Sequence, residues 1–125
     1  MPKILIIDDS PDNQDSLAGR LQCRGFDVVM APDGKRGIAM VAAEKPDLIL
    51  MDMNMPEMDG WEATRRIKAT AEGTHVPIIA MTENALVGNK ERALQAGCID
   101  SHDKPIDFAN LLVQIEALLT AQPQT

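Results

Sequence analysis

Two hydrophobic periods alternate along the chain. Short runs that are apolar almost throughout lie at Ile4–Ile7, Asp27–Met30, Leu48–Met51 and Pro77–Met81, with a weaker one at Ile99–Asp103. Runs of this length suit strands buried on both faces, as in a parallel sheet. Segments with helical spacing separate them. In the last of these, Phe108, Leu111, Leu112, Ile115 and Leu119 fall on one stripe, the apolar face of an amphipathic helix.

Helix punctuation agrees with this division. Ser10 before Pro11 reads as an N-cap with proline at the first helical position. Gly25 ends that first helix in a left-handed turn, and Gly97 closes the fourth in the same way. Asp33 precedes the second helix and Pro46 blocks its continuation. Asp59 and Glu62 read as a capping box for the third, and Asp107 caps the fifth. Five strands alternating with five helices predict one doubly wound α/β domain, a three-layer sandwich with helices on both faces of a parallel sheet. The domain is expected over residues 1–121, with residues 122–125 as a polar tail.

Composition narrows the function. The chain has 125 residues, 45% hydrophobic and 25% charged, enough to hold a core without disulfide or metal staples. A net charge of −7 speaks against nucleic-acid or anionic-membrane partners, which select a cationic face. The longest apolar run, Val76–Met81, is far too short for a membrane span. Asp8 and Asp9 interrupt the N-terminal apolar stretch before it could serve as a signal peptide. A cytoplasmic location is expected, with Cys23 and Cys98 as reduced thiols packed as small hydrophobes. Met side chains read as core filler, Trp61 as a helix-packing residue, and His75 and His102 as solvent-facing or packing residues.

The chemistry collects at one rim. In doubly wound sheets, ligands bind beyond the carboxyl ends of the strands. Strand one ends in Asp8 and Asp9, strand three in Asp52, strand four in Thr82, and strand five in Lys104 and Pro105. Three crowded carboxylates need a counter-charge. Mg²⁺ fits that need, because it binds one or two carboxylates and keeps room for phosphate oxygens. Thr82 and Lys104 would meet the remaining oxygens of a phosphoryl group, and a carboxylate facing that cradle is a phosphoryl-transfer nucleophile.

These residues carry a resemblance. Ile6-Ile7-Asp8-Asp9, Leu50-Met51-Asp52-Met53-Asn54-Met55-Pro56, Met58-Asp59-Gly60, Ala80-Met81-Thr82 and Lys104-Pro105, in this order and spacing, are similar to the receiver domains of bacterial two-component response regulators. The likeness runs from the first strand to the fifth helix and is nearest to free-standing and hybrid-kinase receivers. It implies a flavodoxin-like (βα)5 fold with strand order 2-1-3-4-5. That order is the one known for the family's chemotaxis member, so it comes with the resemblance and not from the pattern. It also implies that Asp52 accepts the phosphoryl group, with Asp9 and Asp52 as direct Mg²⁺ ligands, Asp8 acting through water, and the Asn54 carbonyl as a further ligand. The resemblance further implies that Thr82 and Lys104 hold the phosphoryl group and that a cis bond before Pro105 aims the lysine. The implied partners are a histidine kinase or histidine phosphotransfer protein and a downstream protein reading the face of helix four, strand five and helix five.

Some positions depart from the family pattern. Ser101 stands where an aromatic ring usually reports the switch, Asp103 places a charge on what reads as a central strand, and Glu83 adds a carboxylate near the site. The expectation is a stand-alone phosphoacceptor switch whose only chemistry is its own phosphotransfer and autodephosphorylation. Two rivals stand beside it. A magnesium-dependent phosphohydrolase would carry an acid two residues after the nucleophile, where this chain has Asn54. A phosphorylation-independent docking module would fit Ser101 but has no use for a complete acidic site.

Overall fold

The computed structural model describes residues 2–55, 58–82, 89–103 and 106–121. Strands and helices alternate as β1 (Lys3–Ile7), α1 (Pro11–Cys23), β2 (Asp27–Ala31), α2 (Gly34–Glu44), β3 (Leu48–Asp52), α3 (Gly60–Lys68), β4 (Ile78–Thr82), α4 (Asn89–Ala96), β5 (Asp100–Asp103) and α5 (Phe108–Ala121). All strand pairs are parallel, in the order β2-β1-β3-β4-β5.

Side-chain alternation divides the central strands between two cores. Ile4 and Ile6 of β1, with Leu48, Leu50, Ile79 and Met81, pack against Ala18 and Leu21 of α1 and Leu111, Leu112 and Ile115 of α5. Leu5 and Ile7, with Ile49, Met51, Ile78 and Ala80, pack under Val41, Ala63, Ile67, Ala93 and Ala96 of α2, α3 and α4. Both faces are covered, so strands such as Leu48–Asp52 read as continuously apolar until the terminal aspartate. The stripe on α5 is the seam of the first core.

The turns follow the punctuation with two differences. Gly25 and Gly97 take positive φ, 92° and 118°. The amide of Phe26 donates to Leu21 and that of Cys98 to Ala93, both closures of the Schellman type. The Asp33 carboxylate accepts from the Arg36 amide at 2.7 Å, Asp59 from Glu62 at 2.9 Å and Asp107 from Asn110 at 3.3 Å. At the end of α2 it is Lys45, at φ 48°, that turns left-handed ahead of Pro46. The expected capping box at α3 is only half made. Asp59 caps, while the Glu62 carboxylate turns to Arg65 at 3.0 Å and Arg66 at 3.1 Å. Two nearby guanidiniums compete better for it than a single amide.

Two expectations about the sheet are corrected. β2 is an edge strand whose Asp27 and Met30 are exposed, so it is not buried on both faces and Met30 is not core filler. β5 is the opposite edge. Asp103 therefore lies on an edge strand and not on a central one. The tail 122–125 lies outside the described residues.

Candidate functional site

β1 and β3 are neighbours, with Ile7 in register with Met51, so the residues that follow them emerge side by side at the carboxyl rim. The ladder continues past β1, where the Asp8 amide donates to the Ala31 carbonyl at 3.1 Å. Asp8 and Asp52 are buried, 3% and 1% exposed, whereas Asp9 faces solvent. One carboxylate oxygen from each of Asp8, Asp9 and Asp52 lies within 4.8 Å of the other two.

Local backbone donors orient two of these acids. The Ser10 amide donates to Asp8 Oδ1 at 2.8 Å, and the Asn54 amide to Asp52 Oδ1 at 3.0 Å. Such tight turns fix the carboxylate plane before any ligand arrives. Behind Asp52 the chain is crowded. A Cβ at Gly60 would lie 2.6 Å from the Asp52 carbonyl oxygen, so only glycine lets α3 start there.

Thr82 ends β4 one residue beyond Met81, the register partner of Asp52. Its hydroxyl is buried and has no hydrogen-bond partner among the described residues. The structure thus brings Asp8, Asp9 and Asp52 together and sets Thr82 on the adjoining strand end. Asn54 is exposed, directly after the acidic strand end. Lys104, Pro105, Glu83 and Pro56 lie outside the described residues.

A cleft of about 220 Å³ opens beside Asp8, lined by Ser16, Leu17, Arg20, Met81, Ile106 and Phe108. The Arg20 guanidinium sits 5.5 Å from the Phe108 ring centroid. Sequence reading did not anticipate it, because it joins α1 to the start of α5, two helices far apart in the chain that pack on the same face of the sheet. The apolar stripe containing Phe108 was its only sequence signal.

The remaining candidates behave as side chains of their surroundings. His75 is exposed, and His102 bonds through Nε2 to Gln114 Oε1 of α5. Trp61 is buried between α3 and α4, as a packing residue. Cys98 is buried 3.6 Å from the Thr64 hydroxyl. Burial pushes its thiol up to about 11, against weaker lowering by Thr64 and Lys68. Cys23 departs from expectation: it is exposed at the last turn of α1.

Comparison with known proteins agrees with this geometry. The sequence pattern of the response regulator receiver domain matches residues 4–116. Protein PilH of Pseudomonas aeruginosa is 38% identical over 95% of this chain and 98% of its own length. The DNA-binding dual master transcriptional regulator RpaA of Synechocystis is 34% identical, and there the chain spans 49% of the relative's length. Among solved structures, the receiver domain of sensor histidine kinase PA1611 from Pseudomonas aeruginosa, with a magnesium ion coordinated in its active-site cleft, superposes with a TM-score of 0.89 and 38% identity, covering 96% of this chain and 98% of that one. A contiguous acidic rim, a sheet in the order β2-β1-β3-β4-β5 and matches spanning nearly the whole chain converge: this protein belongs to the response regulator receiver domain family of two-component signalling.

Proposed function

We propose that Asp52 is the phosphoacceptor of this receiver and that Mg²⁺ occupies the acidic rim during transfer. The observation carrying this reading is the convergence of Asp8, Asp9 and Asp52 oxygens within 4.8 Å. Three carboxylate oxygens form a hard donor set suited to Mg²⁺. Two are fixed by burial and one is open to solvent, which leaves room for a ligand. Asp9, Asp52 and the Asn54 carbonyl would hold the ion directly and Asp8 through water. When bound, the ion supplies positive charge against the phosphoryl oxygens.

The chain's own groups do the rest. Asp52 Oδ attacks phosphorus, the P–N bond of a donor phosphohistidine breaks with its electron pair left on the ring nitrogen, and the imidazole leaves as the neutral ring carrying one proton taken up from water. The Thr82 hydroxyl, buried without a described partner, donates to a phosphoryl oxygen, and Lys104 carries the balancing ammonium. Positioning and charge are the main contributions to such a transfer. The domain turns over no external substrate beyond this phosphotransfer and its own dephosphorylation.

The donor is read as a histidine kinase or histidine phosphotransfer protein in the cytoplasm. No described helix is long and apolar enough to cross a membrane. Output is read as contact of a downstream protein with α4, β5 and α5. Leu94, Ile99 and Val113 support that surface, being 46%, 46% and 69% exposed.

Asp52→Asn tests the assignment: labelling by radiolabelled phosphodonor should vanish while the melting temperature stays within a few degrees. Full labelling of the variant moves the acceptor elsewhere. Ser101 favours one second reading, docking without phosphorylation. Equal partner affinity with and without beryllofluoride would select it.

A further inference from the structure

Trp61 is the chain's one tryptophan, and there is no tyrosine. It stands second in α3, next to Gly60, whose amide donates to the Met53 carbonyl at 3.3 Å. The ring is therefore tied to the backbone that leaves Asp52. It is 6% exposed, and its Nε1 is buried without a hydrogen-bond partner among the described residues. The guanidinium of Arg92, on α4, lies 4.0 Å from the ring centroid, well within cation–π range. α4 itself is reached from Thr82 through residues 83–88. α3 and α4, the helices that follow Asp52 and Thr82 in chain order, meet at this stack.

Among the described residues, little else seats α4. Its side chains buried against the sheet include Ala93 and Ala96, which bring little apolar area. On the sheet beneath, Ala80 pairs in register with Ser101, and Thr82 lies two residues on. All three side chains therefore share the face under α4. The hydroxyls of both Thr82 and Ser101 are buried with no partner among the described residues, an unfavourable state for a hydroxyl. No large ring fills this ground, because position 101 is serine.

We propose that Arg92 is a positioning residue: stacked on Trp61, it latches α4 against α3 while Asp52 is unmodified, and the latch opens when Asp52 carries a phosphoryl group. The inference rests on Asp52 being the phosphoacceptor. A phosphoryl oxygen offers the Thr82 hydroxyl the partner it lacks and draws the end of β4 toward Asp52, which shifts the sheet face on which α4 sits. Trp61 cannot follow, because Gly60 holds α3 against the backbone of Asp52 and Met53. The stack is therefore the contact that yields. It supplies a coupling between site and α4 that needs no aromatic residue at position 101.

Arg92 is exposed, so its variants should fold. Beryllofluoride with Mg²⁺ is titrated calorimetrically into wild type, Arg92→Gln, Arg92→Lys and Asp52→Asn, with Trp61 emission recorded alongside. Removing the latch should tighten apparent beryllofluoride affinity about fivefold in Arg92→Gln, which is ~1 kcal/mol at 1.36 kcal/mol per decade. Arg92→Lys keeps a cation over the ring and should stay within twofold of wild type. Wild-type Trp61 emission should change on binding, and the Arg92→Gln protein should already show most of that change when free. Equal affinities for wild type and Arg92→Gln, or an Arg92→Lys variant that behaves like Arg92→Gln, overturn the latch alone. A wild type that fails to bind beryllofluoride overturns the phosphoacceptor reading, and the proposed opening with it.

Discussion

Cys23 and Cys98 share a side-chain type and little else. Cys23 ends α1 in solvent, while Cys98 lies under α3 between the Thr64 hydroxyl and Lys68. A thiol reacts as its thiolate, and burial raises the pKa of Cys98 to about 11. Iodoacetamide at pH 8 should therefore modify Cys23 alone in the native protein and both residues in denaturant, read by mass spectrometry. The same shift has a thermodynamic sign. The folded thiol stays protonated at pH values where the unfolded thiol, with a reference value of 9.0, ionises. Its contribution to stability is full below pH 9 and is lost progressively as the pH rises toward 11, where Cys98→Ala should flatten the decline in denaturant midpoint. The sequence could not tell these residues apart: each is a lone cysteine near a helix end, and burial is set by distant packing. Asp8, Asp9 and Asp52 were legible because each follows directly on an apolar strand, where chain order alone fixes the rim.

Helix boundaries were legible where one residue decides them. Asp33, Asp59 and Asp107 each accept from an amide three residues on, and the turns at Gly25 and Gly97 have the positive φ that glycine adopts freely. Glu62 was misread because its alternative partners, Arg65 and Arg66, lie on the same helix. They also hold its carboxyl below the ordinary carboxylate range, Arg66 more strongly. The Trp61–Arg92 stack was invisible for another reason: periodicity describes one helix at a time, and this contact joins two. Glycines separate local from tertiary demands in a testable way. At Gly60 an added Cβ meets backbone, the Asp52 carbonyl oxygen and the Met53 Cα, both at 2.6 Å. Backbone cannot swing aside as a flexible side chain can, so Gly60→Ala must lift the first turn of α3. It should cost roughly 2–4 kcal/mol in urea unfolding and slow labelling of Asp52. At Gly19, inside α1, a Cβ meets nothing within 4 Å. Gly19→Ala should stabilise the domain by about 0.5–1 kcal/mol and leave labelling unchanged.

At the scale of the molecule, the alternation of strand and helix was legible because both sheet faces are covered, which makes the central strands apolar throughout. Strand order was not in that pattern. Equal alternation serves several doubly wound orders, and the order 2-1-3-4-5 came with the family resemblance; Asp103 looked anomalous only because it was read as central, when that same order sets β5 at an edge. The same architecture makes global stability depend on the rim. Three carboxylates are gathered within 4.8 Å in a chain of net charge −7, so a cation bound there opposes local repulsion and binds only the folded state. Such a ligand stabilises by RT ln(1 + [L]/Kd), about 2.7 kcal/mol at one hundred times Kd. The melting temperature should therefore climb steadily with the logarithm of MgCl₂ concentration once the Kd is passed. General screening of a −7 chain also stabilises, so NaCl at matched ionic strength sets the baseline, and only the excess belongs to the site. Asp9→Asn removes one charged oxygen donor from an exposed position that bears no core packing. It should abolish most of that excess while leaving the NaCl response intact. If the variant keeps the full Mg²⁺ increment, the ion binds elsewhere on the acidic surface, and the rim is not the metal centre.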